Sequence, residues 1–201
     1  MGMLALDIET ANYSHDIGGF HNTVLFEPTV VATWDGEQGT VYCDKNISKS
    51  MPSSVVVKSL HPKTLGRDLE KQLEQGNKLL GHNLTKFDLP ILRDSLDCWT
   101  AADALSKSEE NIFDTSKLLK SIVGHAIPLN DAVKHTLGKG KLMTSHEAPL
   151  QWRLGQYDKV AKYCLEDARL VYDLWQHGRD EGFVKARCRE TGIVNKYTVK
   201  W

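Results

Sequence analysis

The sequence predicts an α/β protein with a mixed β-sheet flanked by helices. Three observations carry this: short apolar runs dominate the first third, helical periodicity dominates the rest, and two short runs of strand character sit between helical stretches. The 201 residues, 41% of them apolar, suffice for one substantial core, so one domain over 1–201 is expected.

The elements follow in order. Residues 3–8 form an apolar run suited to a buried strand, and strands near 28–34 and 39–44 are joined at Asp35-Gly36, a hairpin turn pair. A helix over 64–76, ending near Gly76, precedes a strand at 78–82. Helices at 87–96, 115–123, 129–136 and 157–178 follow, with a short strand near 111–114 and a terminal hairpin after Phe183. The 157–178 helix shows a broad apolar stripe through Val160, Ala161, Cys164, Leu165, Ala168, Val171 and Trp175.

Three fragments place acids on these elements. In LALDIET, Asp7 and Glu9 are two apart on a strand and share one face. In GHNLTKFDLPIL, Asp88 falls in the first turn of a helix, where it suits either a shared site or the positive end of the helix dipole. Asn83 can cap that turn or hold Asp88 and the strand end in place. In KYCLEDARL, Tyr163 and Asp167 are neighbours at i and i+4, although this fragment alone reads better as Tyr163 packing on its neighbours while Asp167 pairs with Lys159, Lys162 or Arg169 on the surface. Carboxylates converging from several elements repel unless a cation lies among them, and hard divalent ions take oxygen ligands.

Read in order, the fragments resemble the three motifs of the DnaQ-like DEDD 3′–5′ exonucleases, which have the ribonuclease H-like fold. Asp7 and Glu9 match the first motif, Asn83, Phe87 and Asp88 the second, and Tyr163 with Asp167 the third. The tyrosine marks one branch; the histidine branch would have His where Lys162 stands. Further stretches, among them HDIGGFHN, FDTSKLLKSIVGHAIPLNDAVKHTLG and the ending DLWQHGRDEGFV, are similar to ribonuclease H-like domains attached to some bacterial superfamily 2 helicases.

The resemblance implies a ribonuclease H-like mixed sheet and hydrolysis of nucleic-acid 3′ ends to nucleoside 5′-monophosphates, single-stranded DNA favoured. It also implies two Mg²⁺ or Mn²⁺ ions, held by Asp7, Glu9, Asp88 and Asp167, with Tyr163 placing the water and Thr10, Asn83 and Phe87 touching substrate. An RNA-trimming exonuclease, a structure-selective endonuclease and a non-catalytic module docking to a helicase are the alternatives.

Composition bounds the partners. A net charge of −1 argues against a surface that coats nucleic acid, so the expected grip is local, through the ions and a basic rim drawn from Lys86, Lys139, Lys141, Arg153 and Lys162. Four scattered cysteines without C-x-x-C spacing indicate neither a zinc cluster nor a disulfide framework, and no run suits a membrane helix. A cytoplasmic location is expected. The loop NYSHDIGGFHN, with Gly18-Gly19, reads either as a mobile connection or as a cover that brings His15 or Phe20 to a nucleotide. Asp114 reads as the cap of the helix that follows it.

Overall fold

The computed structural model describes residues 2–140, 142–144 and 146–201. Six strands form one mixed sheet: β1 (Met3–Thr10), β2 (Pro28–Trp34), β3 (Gly39–Tyr42), β4 (Val55–Lys58), β5 (Lys78–Gly81) and β6 (Ile112–Asp114). Their order is β4-β3-β2-β1-β5-β6. Strands β1, β2 and β3 pair antiparallel, and β3 with β4, β1 with β5 and β5 with β6 pair parallel. This is the mixed sheet flanked by helices that the sequence predicts, with β1 in its interior.

The two-residue period of β1 sorts its side chains. Leu4, Leu6 and Ile8 enter a core completed by α1 (Pro62–Glu74), α2 (Asp88–Asp94) and α3 (Trp99–Ser106). Met3 and Ala5 enter the opposite core, against α8 (Tyr157–Glu181). Asp7 and Glu9 have the parity of Ala5 and so face α8. Ala5 and Ala32 on the sheet meet Ala161, Cys164 and Ala168 of the helix, all buried in that core. Small residues on both surfaces let the helix axis approach the strands closely. Leu79 and Leu80, consecutive and fully buried, anchor opposite faces, each contributing about 1.5–3 kcal/mol by burial.

Several boundaries differ from the expected ones. Helix α1 begins two residues earlier, because Pro62 fits its first turn and the His61 side chain accepts from Lys63 N–H at 3.2 Å. Helix α8 runs to Glu181, where Gly182 adopts a left-handed conformation (φ 72°) and closes it. Strand β4, α3, α4 (Ser108–Asn111) and α7 (Glu147–Arg153) had no counterpart in the sequence reading. Helices α5 (Thr115–Val123) and α6 (Leu129–Leu137) follow it closely, and β7 (Phe183–Arg187) pairs with β8 (Val194–Thr198) as a separate antiparallel ribbon.

One buried phenol gives the fold an alkaline limit. The Tyr42 hydroxyl donates to Asp68 Oδ2 at 2.7 Å, which Lys58 Nζ also reaches at 2.7 Å. Burial first, and then the Asp68 carboxylate, push this phenol far above its ordinary 10.0. A raised folded pKa contributes stability that is present below the unfolded value and lost as pH climbs past it, because only the unfolded chain then releases its proton. Thermal melts should therefore fall steeply above about pH 10. Tyr42→Phe should melt lower at neutral pH, by about 1 kcal/mol for the lost hydrogen bond, yet decline less steeply above it; parallel curves would refute this.

Candidate active-site cleft

The site begins with β1 and α8. The β1–β2 register shifts between Glu9 and Thr10, ending the regular ladder where the acids stand. Tyr163 and Asp167, one turn apart on α8, face them, and the Cys164 thiol donates to the Asp7 carbonyl at 3.3 Å. Asp7, Glu9 and Asp167 thereby bring carboxylate oxygens within 4.8 Å of one another. Glu9 and Asp167 are buried, and Asp7 is half-buried. At that separation each ionised pair repels by on the order of 3 kcal/mol at an effective dielectric constant of 20. Three clustered oxygen donors of like charge fit a hard divalent cation. Asp167, only 1% exposed, is not a surface ion-pair partner. Lys162 instead reaches Asp158 at 3.8 Å, and Arg169 lies over the Trp34 ring.

Asp88 arrives from the other side of β1. It is the first residue of α2, is buried, and its Oδ1 accepts from Ile8 N–H at 3.2 Å, midway between Asp7 and Glu9 in the chain. That bond ties the helix entry to the strand across 80 residues of sequence. It lies outside the trio of closest oxygens, against the same cleft.

The turn that delivers Asp88 is built on Asp114. Its Oδ1 accepts from Ser116 and Lys117 N–H at 3.1 and 3.2 Å, the expected cap of α5, and also from Asn83 N–H at 2.9 Å. Its Oδ2 accepts from the Thr85 N–H and hydroxyl at 3.0 and 2.7 Å. One buried carboxylate thus caps a helix and clamps the loop before Asp88. Asn83 adopts φ 78°, a left-handed conformation that asparagine tolerates, and its carbonyl accepts from Lys86 and Phe87 N–H. Asn83 therefore shapes this turn through its backbone. In Asp114→Ser the short hydroxyl still caps α5 but cannot span the loop. Hydrogen exchange should then quicken roughly tenfold or more at Asn83 and Thr85, while Ser116 and Lys117 stay protected; uniform exchange across both segments would count against separate cap and clamp roles.

Tyr163 is buried beside the acids, one helical turn from Asp167. Burial first, then the carboxylates of Asp167, Glu9 and Asp7, raise its pKa far above the ordinary 10.0. The phenol therefore stays protonated through neutral pH and acts as a neutral hydroxyl. Burial, with the same carboxylates, also keeps the Cys164 thiol protonated.

Asp7, Glu9, Asp88, Tyr163 and Asp167 open on one cleft of about 460 Å³, which Thr10, Asn83 and Phe87 also line. The Thr10 hydroxyl donates to the Asn12 carbonyl at 3.0 Å. Phe87 packs edge-on to Phe26 and to Phe20, which is 65% exposed, making an aromatic wall at the cleft mouth. The loop after β1 is tied down: Tyr13 donates to the His146 carbonyl at 3.1 Å and stacks on His15, and Arg153 bonds Asp16 and the Ala11 carbonyl, both at 3.1 Å. His15 and Phe20 both face the cleft.

The expected basic rim is a correction. Lys139 pairs with Asp173 at 2.6 Å, Arg153 with Asp16 at 3.1 Å and Lys162 with Asp158, and neither they nor Lys86 line the cleft. Lys141 lies outside the described residues. Among the described residues lining the cleft there is no lysine or arginine. Sequence reasoning missed His82, Asn130, Met143, Thr144 and His146. Only His82 left a signal, as the residue just past the carboxyl end of a parallel strand, where ligands gather in α/β sheets. Its ring nitrogens meet Thr115 Oγ1 and the Ile127 carbonyl at 2.9 and 2.8 Å.

Comparison with protein-family models finds none that matches this chain, and comparison with curated proteins finds no significant relative. No helix among the described residues is long and apolar enough to cross a membrane.

Proposed function

We propose that this chain is a metal-dependent 3′–5′ exonuclease that hydrolyses nucleic-acid 3′ ends, preferring single-stranded DNA, and releases nucleoside 5′-monophosphates. The observation that carries the reading is the convergence of Asp7, Glu9, Asp88, Tyr163 and Asp167, from a strand and two helices, on one cleft. Asp7, Glu9 and Asp167 would hold one divalent ion and Asp7 with Asp88 a second. Bound there, such ions supply an acidified water and positive charge for the leaving 3′ oxygen. Tyr163 keeps its proton and, as a neutral hydroxyl, orients the attacking water. The aromatic wall of Phe20 and Phe87 offers its faces and edges to an unpaired terminal base, an interaction tolerant of sequence. The Ile8 and Asp114 bonds hold Asp88 at its post. Four cysteines without a disulfide suit a reducing cytoplasm.

Incubating the purified chain with 5′-labelled single-stranded DNA, duplex DNA and RNA, with Mg²⁺, Mn²⁺ or chelator, tests the reading. Stepwise shortening of the single strand from its 3′ end, abolished by chelator, is expected. Internal cuts without a ladder would indicate an endonuclease, and no product on any substrate would reject the proposal.

A further inference from the structure

We propose that the β7–β8 ribbon and the groove at its foot form a track for the phosphate backbone of the strand that leads into the cleft. This rests on the nuclease reading for what the strand is doing there, and the need for it follows from the cleft itself, whose described lining holds no lysine or arginine to meet phosphates.

Charge in this chain is segregated. The whole sequence carries a net −1, yet residues 183–201 contain Lys185, Arg187, Arg189, Lys196 and Lys200 against a single acid, Glu190. Period two divides the ribbon: Val184 and Ala186 are buried against the core, so Lys185 and Arg187 face outward. The register sets Lys196 directly opposite Lys185, and both ammonium groups lie over the Phe183 ring, at 3.8 and 5.9 Å. Like charges directly opposite across two strands oppose pairing, an arrangement that an anion relieves. Among the described residues no carboxylate comes within 4.0 Å of the charged groups of Lys185, Arg189 or Lys196, whereas Arg187 is held by Asp131 and the Gly192 carbonyl.

The ribbon is also continuous with the cleft. Arg187, Arg189 and His125, with the Asp131 carboxylate that holds Arg187, line a groove of about 460 Å³, and Pro128 lines both this groove and the active-site cleft. The Arg189 N–H donates to His125 Nε2 at 3.2 Å, which fixes the ribbon's turn to the segment leading to Pro128. A single strand with its 3′ end at the acids therefore has a basic path for its preceding phosphates. Neither the carboxylates nor the aromatic wall provides one.

The test is equilibrium binding in chelator, by fluorescence anisotropy of labelled oligothymidylates, so that no hydrolysis intervenes. The variant is Lys185→Gln/Arg189→Gln/Lys196→Gln. With oligomers of about 20 nucleotides its affinity should fall roughly tenfold or more, and the slope of log affinity against log salt should become shallower by about 2, near 0.7 for each phosphate contact removed. An oligomer of about three nucleotides, too short to leave the cleft, should lose under about twofold. Arg189→Gln alone, in the turn and outside both strands, guards against a ribbon that unfolds, and should shift the slope by about 0.7. Unchanged affinity and slope for the long strand, or no binding by the unaltered protein at low salt, would overturn the track. So would loss of binding to polyglutamate or anionic lipid vesicles with DNA binding intact, since the surface would then serve an acidic protein or a membrane. Hydrolysis with Mg²⁺ is scored separately. Activity with unaltered long-strand binding retires only the track, and the expected binding loss without hydrolysis in any protein retires only the nuclease reading.

Discussion

Asp7→Ala is expected to lower hydrolysis by roughly 10³-fold or more while leaving the metal-free protein as stable as the parent, or more so. The two effects separate because Asp7 does two opposing things. Its oxygen lies within 4.8 Å of those of Glu9 and Asp167, so removing it relieves repulsion from both neighbours. Its place in the fold, by contrast, depends on its backbone: Asp7 pairs with Ala32 in the β1–β2 ladder, and its carbonyl takes the Cys164 thiol. Both survive truncation to alanine, and the neighbouring Ala5 and Ala32 show that small side chains suit this stretch of sheet. Melting curves with chelator and with Mn²⁺ provide the second measurement. The parent should gain stability with Mn²⁺, because an ion that binds only the folded chain stabilises it by mass action, and Asp7→Ala should gain much less. If activity and metal-free stability fell together, Asp7 would be a structural residue and the proposed centre would lose its shared ligand.

What could be read from the sequence followed from periodicity. The i, i+2 spacing of Asp7 and Glu9 and the i, i+4 spacing of Tyr163 and Asp167 are properties of a strand and a helix before any packing occurs. On α8 the apolar residues interleaved with them, Val160, Cys164 and Ala168, fixed which face turned inward, and on β1 Leu6 and Ile8 filled the core opposite the acids. Short elements escaped. Strand β4 is four residues, VVVK, without alternation and at the sheet edge, and α7 carries Pro149 within its first turn, so neither has a period long enough to recognise. Contacts across long sequence separations were equally hidden. Asp114 was legible as a cap because Ser116 and Lys117 follow it locally, but its grip on Asn83 and Thr85 spans about 30 residues. The basic rim failed for the same reason. Lys139 and Arg153 look available along the chain, and only the fold brings Asp173 and Asp16 beside them.

Tyr163→Phe should slow turnover by roughly 10²-fold or more and leave metal affinity nearly unchanged, a loss within the range of a positioned acid–base partner. The substitution deletes one oxygen from a fully buried ring, so the packing of α8 on β1 and β2 is retained. It also removes a buried polar group beside the Asp167 carboxylate, a change of about 1 kcal/mol in stability. A purely structural tyrosine would show the stability change alone, with a rate close to the parent. A metal ligand would show weaker Mn²⁺ binding. Mn²⁺ titration by calorimetry and single-turnover hydrolysis of single-stranded DNA distinguish the cases. The water-orienting role predicts parental Mn²⁺ affinity with a slowed chemical step at saturating metal. Full single-turnover rate in Tyr163→Phe would return the residue to the core of α8, with no part in the chemistry.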